Sequence, residues 1–222
     1  MTQISTSDIS HLTNVREAHW RQQMQVADTR TAILETSAQL YADLGYSAVS
    51  MRDVAAEVGV TPANLYHHFT GKDELVREAV AHVFAQKTAP IAELLESQST
   101  DADRLTLFVE YFVRLLTEDR VFFRLLMREL IDGDEKRLDD LARSVLERPF
   151  RLVSGLAGQG QSEDWRLLGT ISIISIMVGH ALLAPLVPHL PGGRPDHSDA
   201  SVITAHISAV LRHSFHSNVK GK

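Results

Sequence analysis

The sequence predicts an all-α protein, with an N-terminal three-helix helix-turn-helix bundle followed by a larger C-terminal helical domain. Three features carry that expectation. Apolar residues recur at three- and four-residue spacing along most of the chain, as they do on one face of a helix. Residues that start and stop helices punctuate the pattern, most densely between Ser50 and Phe69. The 222 residues are 44% hydrophobic and 23% charged, an ordinary globular balance with ample material for a core.

The stretch Ser50–Phe69 holds two helix starts and one stop. Ser50 suits an N-cap, and Asp53 puts an acid at the positive end of the helix it opens. Val54, Ala55 and Val58 form one apolar face. Gly59 can take the positive φ that the end of a helix often requires. Thr61 caps a second helix and Pro62 occupies its first position, where a missing N–H costs nothing. So short a turn throws the second helix sharply across the first, with Ala55 at the crossing. Leu65 and Phe69 then face inward with Val54 and Val58, while Thr61, Ala63, Asn64, Tyr66, His67 and His68 face outward. This is the pattern of a helix-turn-helix whose second helix can enter a DNA major groove.

Residues 1–20 are polar, Ser/Thr-rich and aperiodic, and a mobile arm is expected over 1–24. A helix starting at Asp28 or Thr29 carries Ile33, Leu34, Leu40, Tyr41 and Leu44 at helical spacing up to Gly45. After Phe69, Gly71 and the acids Asp73 and Glu74 open another helix, running through Phe84 towards Pro90. The DNA-binding domain is thus expected over 25–87, and the C-terminal domain over 88–222. Charge is a constraint. The chain is net −6, and residues 21–87 hold six Arg and Lys against eight Asp and Glu. Any electrostatic footprint for DNA has to be a local patch. Cysteine is absent, which excludes disulfides and thiolate metal sites. Met1–Arg21 has no continuous apolar stretch, so no secretory signal is expected and the cytoplasm is the expected compartment.

At Ile33–Leu75 the chain resembles the N-terminal domain of the TetR family of bacterial repressors. The resemblance rests on the helix through Ile33-Leu34 ending in Gly45-Tyr46, the Ser50–Gly59 helix, Asn64-Leu65-Tyr66-His67-His68-Phe69, and Lys72-Asp73-Glu74-Leu75. It departs from the family at Thr36-Ser37, where paired alanines are commoner, and at Gly71, where a stronger cap is usual. The resemblance implies a DNA face of Arg30, Ser50, Arg52, Thr61, Pro62, Ala63, Asn64, Tyr66, His67, His68 and Lys72. Ser50 and Arg52 would meet phosphate or a base, and Thr61, Pro62, Ala63 and Asn64 the base edges. Tyr66, His67 and His68 would hold phosphates, with Lys72 clamping the backbone. The residue chemistry agrees: Asn64 could pair bidentately with adenine and Arg52 with guanine. A half-buried packing role for Tyr66 and a merely solvated Arg52 stay open.

Beyond Pro90, helical spacing continues through Leu105–Leu116, Val121–Leu130 and Leu138–Leu156, with Pro149 expected to kink the last near Arg148. An aromatic and methionine excess lies at 108–127. Because the resembled family binds small molecules here, a largely apolar effector is expected against Phe108, Phe112, Phe122, Phe123, Met127 and Met177, with His180 as its polar contact. Residues 167–193 carry no Asp, Glu, Lys or Arg. A membrane span is not expected, because Gly169, Thr170, Ser172, Ser175, Gly179, His180 and Pro185 interrupt the apolar run. Gly169, Ser172, Ser175 and Gly179 form a small-residue stripe suited to close helix packing, in a helix apolar nearly all round and therefore buried, either centrally or in a subunit interface. A last helix starts at Asp199. The resemblance makes 165–184 and 199–216 the expected homodimer interface.

The eleven histidines invite a metal, but only His213 and His216 of the terminal helix lie at i, i+3, and no His-Glu-x-x-His occurs. No metal, cofactor or catalytic residue is expected. Three hypotheses remain: a homodimeric repressor that binds a palindromic operator and is released by a small ligand; a regulator with a solid core that answers to a protein or to no ligand; and a helical enzyme or carrier that keeps the helix-turn-helix only as architecture. The first is the principal expectation.

Overall fold

A computed structural model describes residues 28–97, 100–156 and 162–217, with the backbone alone at 102 and 213–217. The expected arm over 1–24 lies outside these residues, as do the side chains of His213, Phe215 and His216. Every regular element described is helical: α1 over 28–44, α2 Met51–Val58, α3 Pro62–His68, α4 Lys72–Ser97, α5 Asp101–Glu118, α6 Arg120–Asp132, α7 Glu135–Leu141, α8 Glu147–Leu156, α9 Glu163–Leu183 and α10 Ala200–Ser217. The chain divides into two compact units between Ala79 and Val80. The expected boundary at residue 87 lies further along α4, which contributes residues to both units.

In the N-terminal unit α1 buries Ile33, Leu34, Ala38, Tyr41 and Ala42, which meet Val54 and Ala55 of α2, Leu65 of α3 and Leu75, Val76 and Ala79 of α4 in one apolar core. Several core residues escaped the sequence pattern: Ala38 and Ala42 of α1, Val49 in the connection before α2, and Met51, its first residue. Leu44, expected on the apolar face, is 57% exposed at the last position of α1.

The C-terminal unit is built on α5, which packs on α9 and α10 and carries the buried residues Phe108, Val109, Val113, Leu115 and Leu116. Two prolines shape it. α4 continues through Pro90 to Ser97 instead of ending near it. Pro90 cannot donate to the Gln86 carbonyl and its ring crowds that oxygen. At the next position the Tyr111 hydroxyl of α5 donates to the Lys87 carbonyl at 2.8 Å, so a neighbouring helix supports the weakened turn. Pro149 sits inside α8, and the irregularity falls earlier than Arg148, as a π-turn at Ala142–Leu146. A proline ring presses on the carbonyl four residues before it, here that of Val145. Widening the turn that holds Val145 lets the chain stay helical across Pro149.

α9 buries a face other than the small-residue stripe inside the chain. Within the chain it buries Thr170, Ile173, Met177 and Ala181, a face of larger side chains whose burial removes more apolar surface from water. Ser172 and Ser175 are exposed, and a Cβ added to Gly179 would meet nothing within 4 Å. The two serines of the stripe thus face solvent in the single chain, while Gly169 and Gly179 are half-buried. Leu168, Ile171, Leu182 and Leu183 of α9 are exposed, as are Val202 and Val210 of α10. By length and composition α9 is also apolar enough to cross a membrane, with mean hydropathy 1.7 over its most apolar window.

Candidate nucleic-acid interface

The elements that present the outward face of α3 are fixed by local hydrogen bonds. At the start of α2 the Ser50 hydroxyl accepts from the Asp53 N–H at 3.3 Å, while the Asp53 carboxylate accepts from the Ser50 N–H at 2.8 Å and its hydroxyl at 2.6 Å. This reciprocal box closes the first turn. The Ser50 hydroxyl and N–H hold the Asp53 carboxyl below the usual carboxylate range. Gly59 takes φ 78°, and the Val60 N–H then reaches back to the Ala55 carbonyl at 2.9 Å. That left-handed residue is what turns the chain within so few positions, and a side chain there would strain it. Thr61 caps α3 by accepting from the Asn64 N–H at 3.2 Å, with Pro62 in the first helical position. Leu65 and Phe69, both fully buried, pin α3 from beneath.

With one face pinned, the other is presented to solvent. Thr61, Pro62, Ala63, Asn64 and His67 are exposed, and Tyr66 is 56% exposed, which resolves the alternative of a packing tyrosine. His68 is half-buried, its ring 6.2 Å from that of Phe69. Beside α3 lies an open hollow of about 450 Å³, lined by the chain from Ser47 to Met51 with Arg52, Tyr66 and Lys72. The hollow thus brings together the N-terminal end of α2, two cations and a phenol. The first N–H groups of a helix lack intrahelical acceptors, and the helix dipole favours an anion there.

The positive charge at this face comes from Arg52 and Lys72, a local patch in a unit without basic excess. The nearby acids are engaged: Asp53 by Ser50, and Asp73 by the Tyr46 hydroxyl, which donates to it. Tyr46 also lies under Lys72, whose Nζ is 4.1 Å from the ring centroid. In the sequence Tyr46 marks only the end of α1. An aromatic in the connection before α2 was the available signal, but no short spacing ties it to Lys72. Arg30 stands apart from the rest of the expected DNA face: its guanidinium pairs with Glu78 and lies 5.1 Å from the Phe69 ring centroid. It braces α1 against α4 and the end of α3.

Of the expected effector residues, three rings form one cluster with Phe84. Phe108 and Phe112 stack at 5.6 Å, Phe112 meets Phe122 edge-on at 6.4 Å, and Phe122 lies 4.7 Å from Phe84. These rings are in contact with one another. Phe123 and Met127 are half-buried on another side of α6 from Phe122, Leu125 and Glu129, which it buries. Met177 is buried on α9. His180 sits edge-on to His206 at 5.6 Å, and partial burial together with the neighbouring imidazole keeps its pKa below the ordinary histidine value. Among the described residues no group of three or more His, Asp or Glu side chains could hold a metal ion.

Residues 33–79 match the model of bacterial regulatory proteins of the tetR family. The chain carries a TetR-family N-terminal domain. Among curated relatives, the HTH-type transcriptional repressor KstR2 of Mycolicibacterium smegmatis is 28% identical over 118 residues, 53% of this chain and 55% of the relative. The chain thus spans about half the length of that relative. Among solved structures, the transcriptional regulator FadR from Bacillus subtilis, in complex with stearoyl-CoA, aligns with a TM-score of 0.66 at 14% identity, covering 82% of this chain and 96% of that one. A protein from Saccharomonospora viridis in complex with choline aligns with a TM-score of 0.66 at 21% identity, covering 84% and 97%. At such identities the likeness concerns the fold, and it extends beyond the TetR-family domain into the helices that follow.

Proposed function

We propose that the chain is a cytoplasmic DNA-binding transcriptional repressor that acts as a homodimer on a palindromic operator. The observation that carries this is the solvent-facing set Thr61, Pro62, Ala63, Asn64 and Tyr66 on α3, adjoining the hollow of Arg52, Tyr66 and Lys72. Phosphate contacts at the hollow fix register, and the edge of α3 reads bases. Selection of bound duplexes from a random library tests it: the account expects a palindrome with half-sites about one helical turn, ~34 Å, apart or a multiple of it. Asn64→Ala is expected to change the preferred bases, since a bidentate base contact is worth roughly 1–3 kcal/mol of discrimination. Lys72→Ala is expected to weaken all sequences about equally. Recovery of unselected sequence by the wild type would contradict the proposal, and an unchanged site with Asn64→Ala would remove that residue from direct readout.

The subunit contact is assigned to the exposed face of α9 and α10. A monomer seldom leaves so many large apolar side chains in water on two neighbouring helices. A second copy would cover them, and Gly179 would then let two backbones approach. Gly179→Leu tests this, because within the chain a Cβ added at Gly179 meets nothing within 4 Å. In a monomer the change is expected to be neutral or, by helix propensity, stabilising by up to ~1 kcal/mol. At a subunit contact it overpacks, at a typical cost of ~1–3 kcal/mol, and sedimentation is expected to show a weakened dimer. A variant as dimeric as the wild type would place the contact elsewhere.

Release by a small, largely apolar ligand is the first reading of the C-terminal unit, supported by solved relatives of the same fold that hold small molecules. The mutual contact of Phe84, Phe108, Phe112 and Phe122 favours a second reading, a solid core and a regulator without an effector. Thermal-shift screening followed by operator titration distinguishes them. A hit that lowers DNA affinity tenfold carries ~1.4 kcal/mol of coupling.

A further inference from the structure

We infer that Tyr46 is a positioning residue for DNA binding: its ring is the platform that holds the Lys72 ammonium at the anion hollow. The inference rests on the proposed DNA-binding function and adds a residue to it that touches no nucleic acid. Lysine is a flexible point charge whose four-carbon stem loses considerable rotamer freedom when fixed. Lys72 is the first residue of α4, and its Nζ lies 4.1 Å from the Tyr46 centroid, well within cation–π range. The ring in turn is fixed, because the Tyr46 hydroxyl donates to Asp73, the residue beside Lys72. Tyr46 thus orients Lys72 through its face and is oriented through its hydroxyl. Asp73 has a second consequence here. A free carboxylate beside Lys72 would be available to pair with it and draw it from the hollow, whereas one occupied by a phenol competes less. Lys72 lines the hollow together with Arg52 and Tyr66, and Tyr46 does not line it. A cation held in place before a phosphate arrives pays less ordering entropy on binding.

The experiment is a double-mutant cycle on the full chain, with fluorescence anisotropy of a labelled mixed-sequence duplex at low salt, since phosphate contacts are indifferent to sequence. Tyr46→Leu keeps bulk and removes the π-face. It is expected to weaken binding by about two- to fivefold per recognition unit, the size of an exposed cation–π contact. In a Lys72→Ala background the same substitution is expected to have almost no further effect. Tyr46→Phe, which keeps the face but frees the ring and Asp73, is expected to lose part of the affinity, less than Tyr46→Leu loses. A loss of equal size in both backgrounds would show that Tyr46 acts on the fold and not through Lys72, and would overturn the inference while leaving the DNA-binding function standing. No duplex binding by the wild type would sink the function itself, and this inference with it. Should Tyr46→Leu not fold, the wild type supplies its own readout: the ε-methylene protons of Lys72 are expected to show an upfield ring-current shift by NMR, and ordinary lysine shifts would overturn the platform.

Discussion

Phe122→Ala is expected to destabilise the C-terminal unit by about 3–5 kcal/mol, the range for deleting a buried aromatic side chain. Phe122 is 1% exposed, and its ring is shared between Phe84 of α4 and Phe112 of α5, so its loss opens a cavity among three helices that cannot all close on it. Urea unfolding with the slope unchanged measures the loss. A cost below about 1 kcal/mol would mean that the rings relax freely and that the core is looser than their contacts imply. The variant also bears on the effector question, because an apolar cavity in a helical core can bind a small apolar molecule. Stabilisation of Phe122→Ala by such a compound, without stabilisation of the wild type, would favour the solid-core reading.

Arg137→Met is expected to cost about 3 kcal/mol for a different reason. Glu129 on α6 is only 4% exposed, and the Arg137 Nε of α7 donates to its carboxylate at 3.0 Å across the Gly133 turn. Asp132 and Asp134 lie 3.7 Å from the same guanidinium. Removing the arginine leaves a buried carboxylate without its counter-charge, and breaking a buried pair in that way is far costlier than replacing both partners. Glu129→Leu with Arg137→Met is therefore expected to recover most of the stability. If the double variant is no better than the single one, the damage lies in the turn between α6 and α7 and not in the orphaned charge.

The N-terminal unit was legible because each of its decisions is local. A capping serine, a left-handed glycine and a proline at a first helical position each act within four residues of themselves, and the observed hydrogen bonds of Ser50, Val60 and Thr61 follow those positions. Long-range pairings were not legible. Arg30 was expected on the DNA face by resemblance, and nothing in the sequence signalled its ion pair with Glu78, forty-eight positions away. Tyr46 and Lys72 meet across α2 and α3, and no periodicity encodes that. Proline positions were legible while their outcomes were not. Pro90 is tolerated because Tyr111 supplies a donor nearby, and the strain of Pro149 is relieved by a wider turn ahead of it. On α9 spacing found a small-residue stripe, but spacing alone cannot say whether such a stripe packs inside one chain or against another. Thr170, Ile173, Met177 and Ala181 make the intrachain contact, and Ser172 and Ser175 of the stripe face solvent.

The central claim is that α3 and its adjoining hollow hold duplex DNA. The measurement that tests it most directly is the affinity of the wild-type chain for its selected duplex as a function of salt. Arg52 and Lys72 in each of two chains give about four neutralised phosphates, hence a slope of log K against log salt near −3.6 at about −0.9 per contact. Affinity is then expected to fall roughly a hundredfold between ~50 and ~200 mM salt, and the slope of Lys72→Ala to shrink by about two contacts per dimer. Binding that ignores salt, or a Lys72→Ala variant with the wild-type slope, would contradict the account.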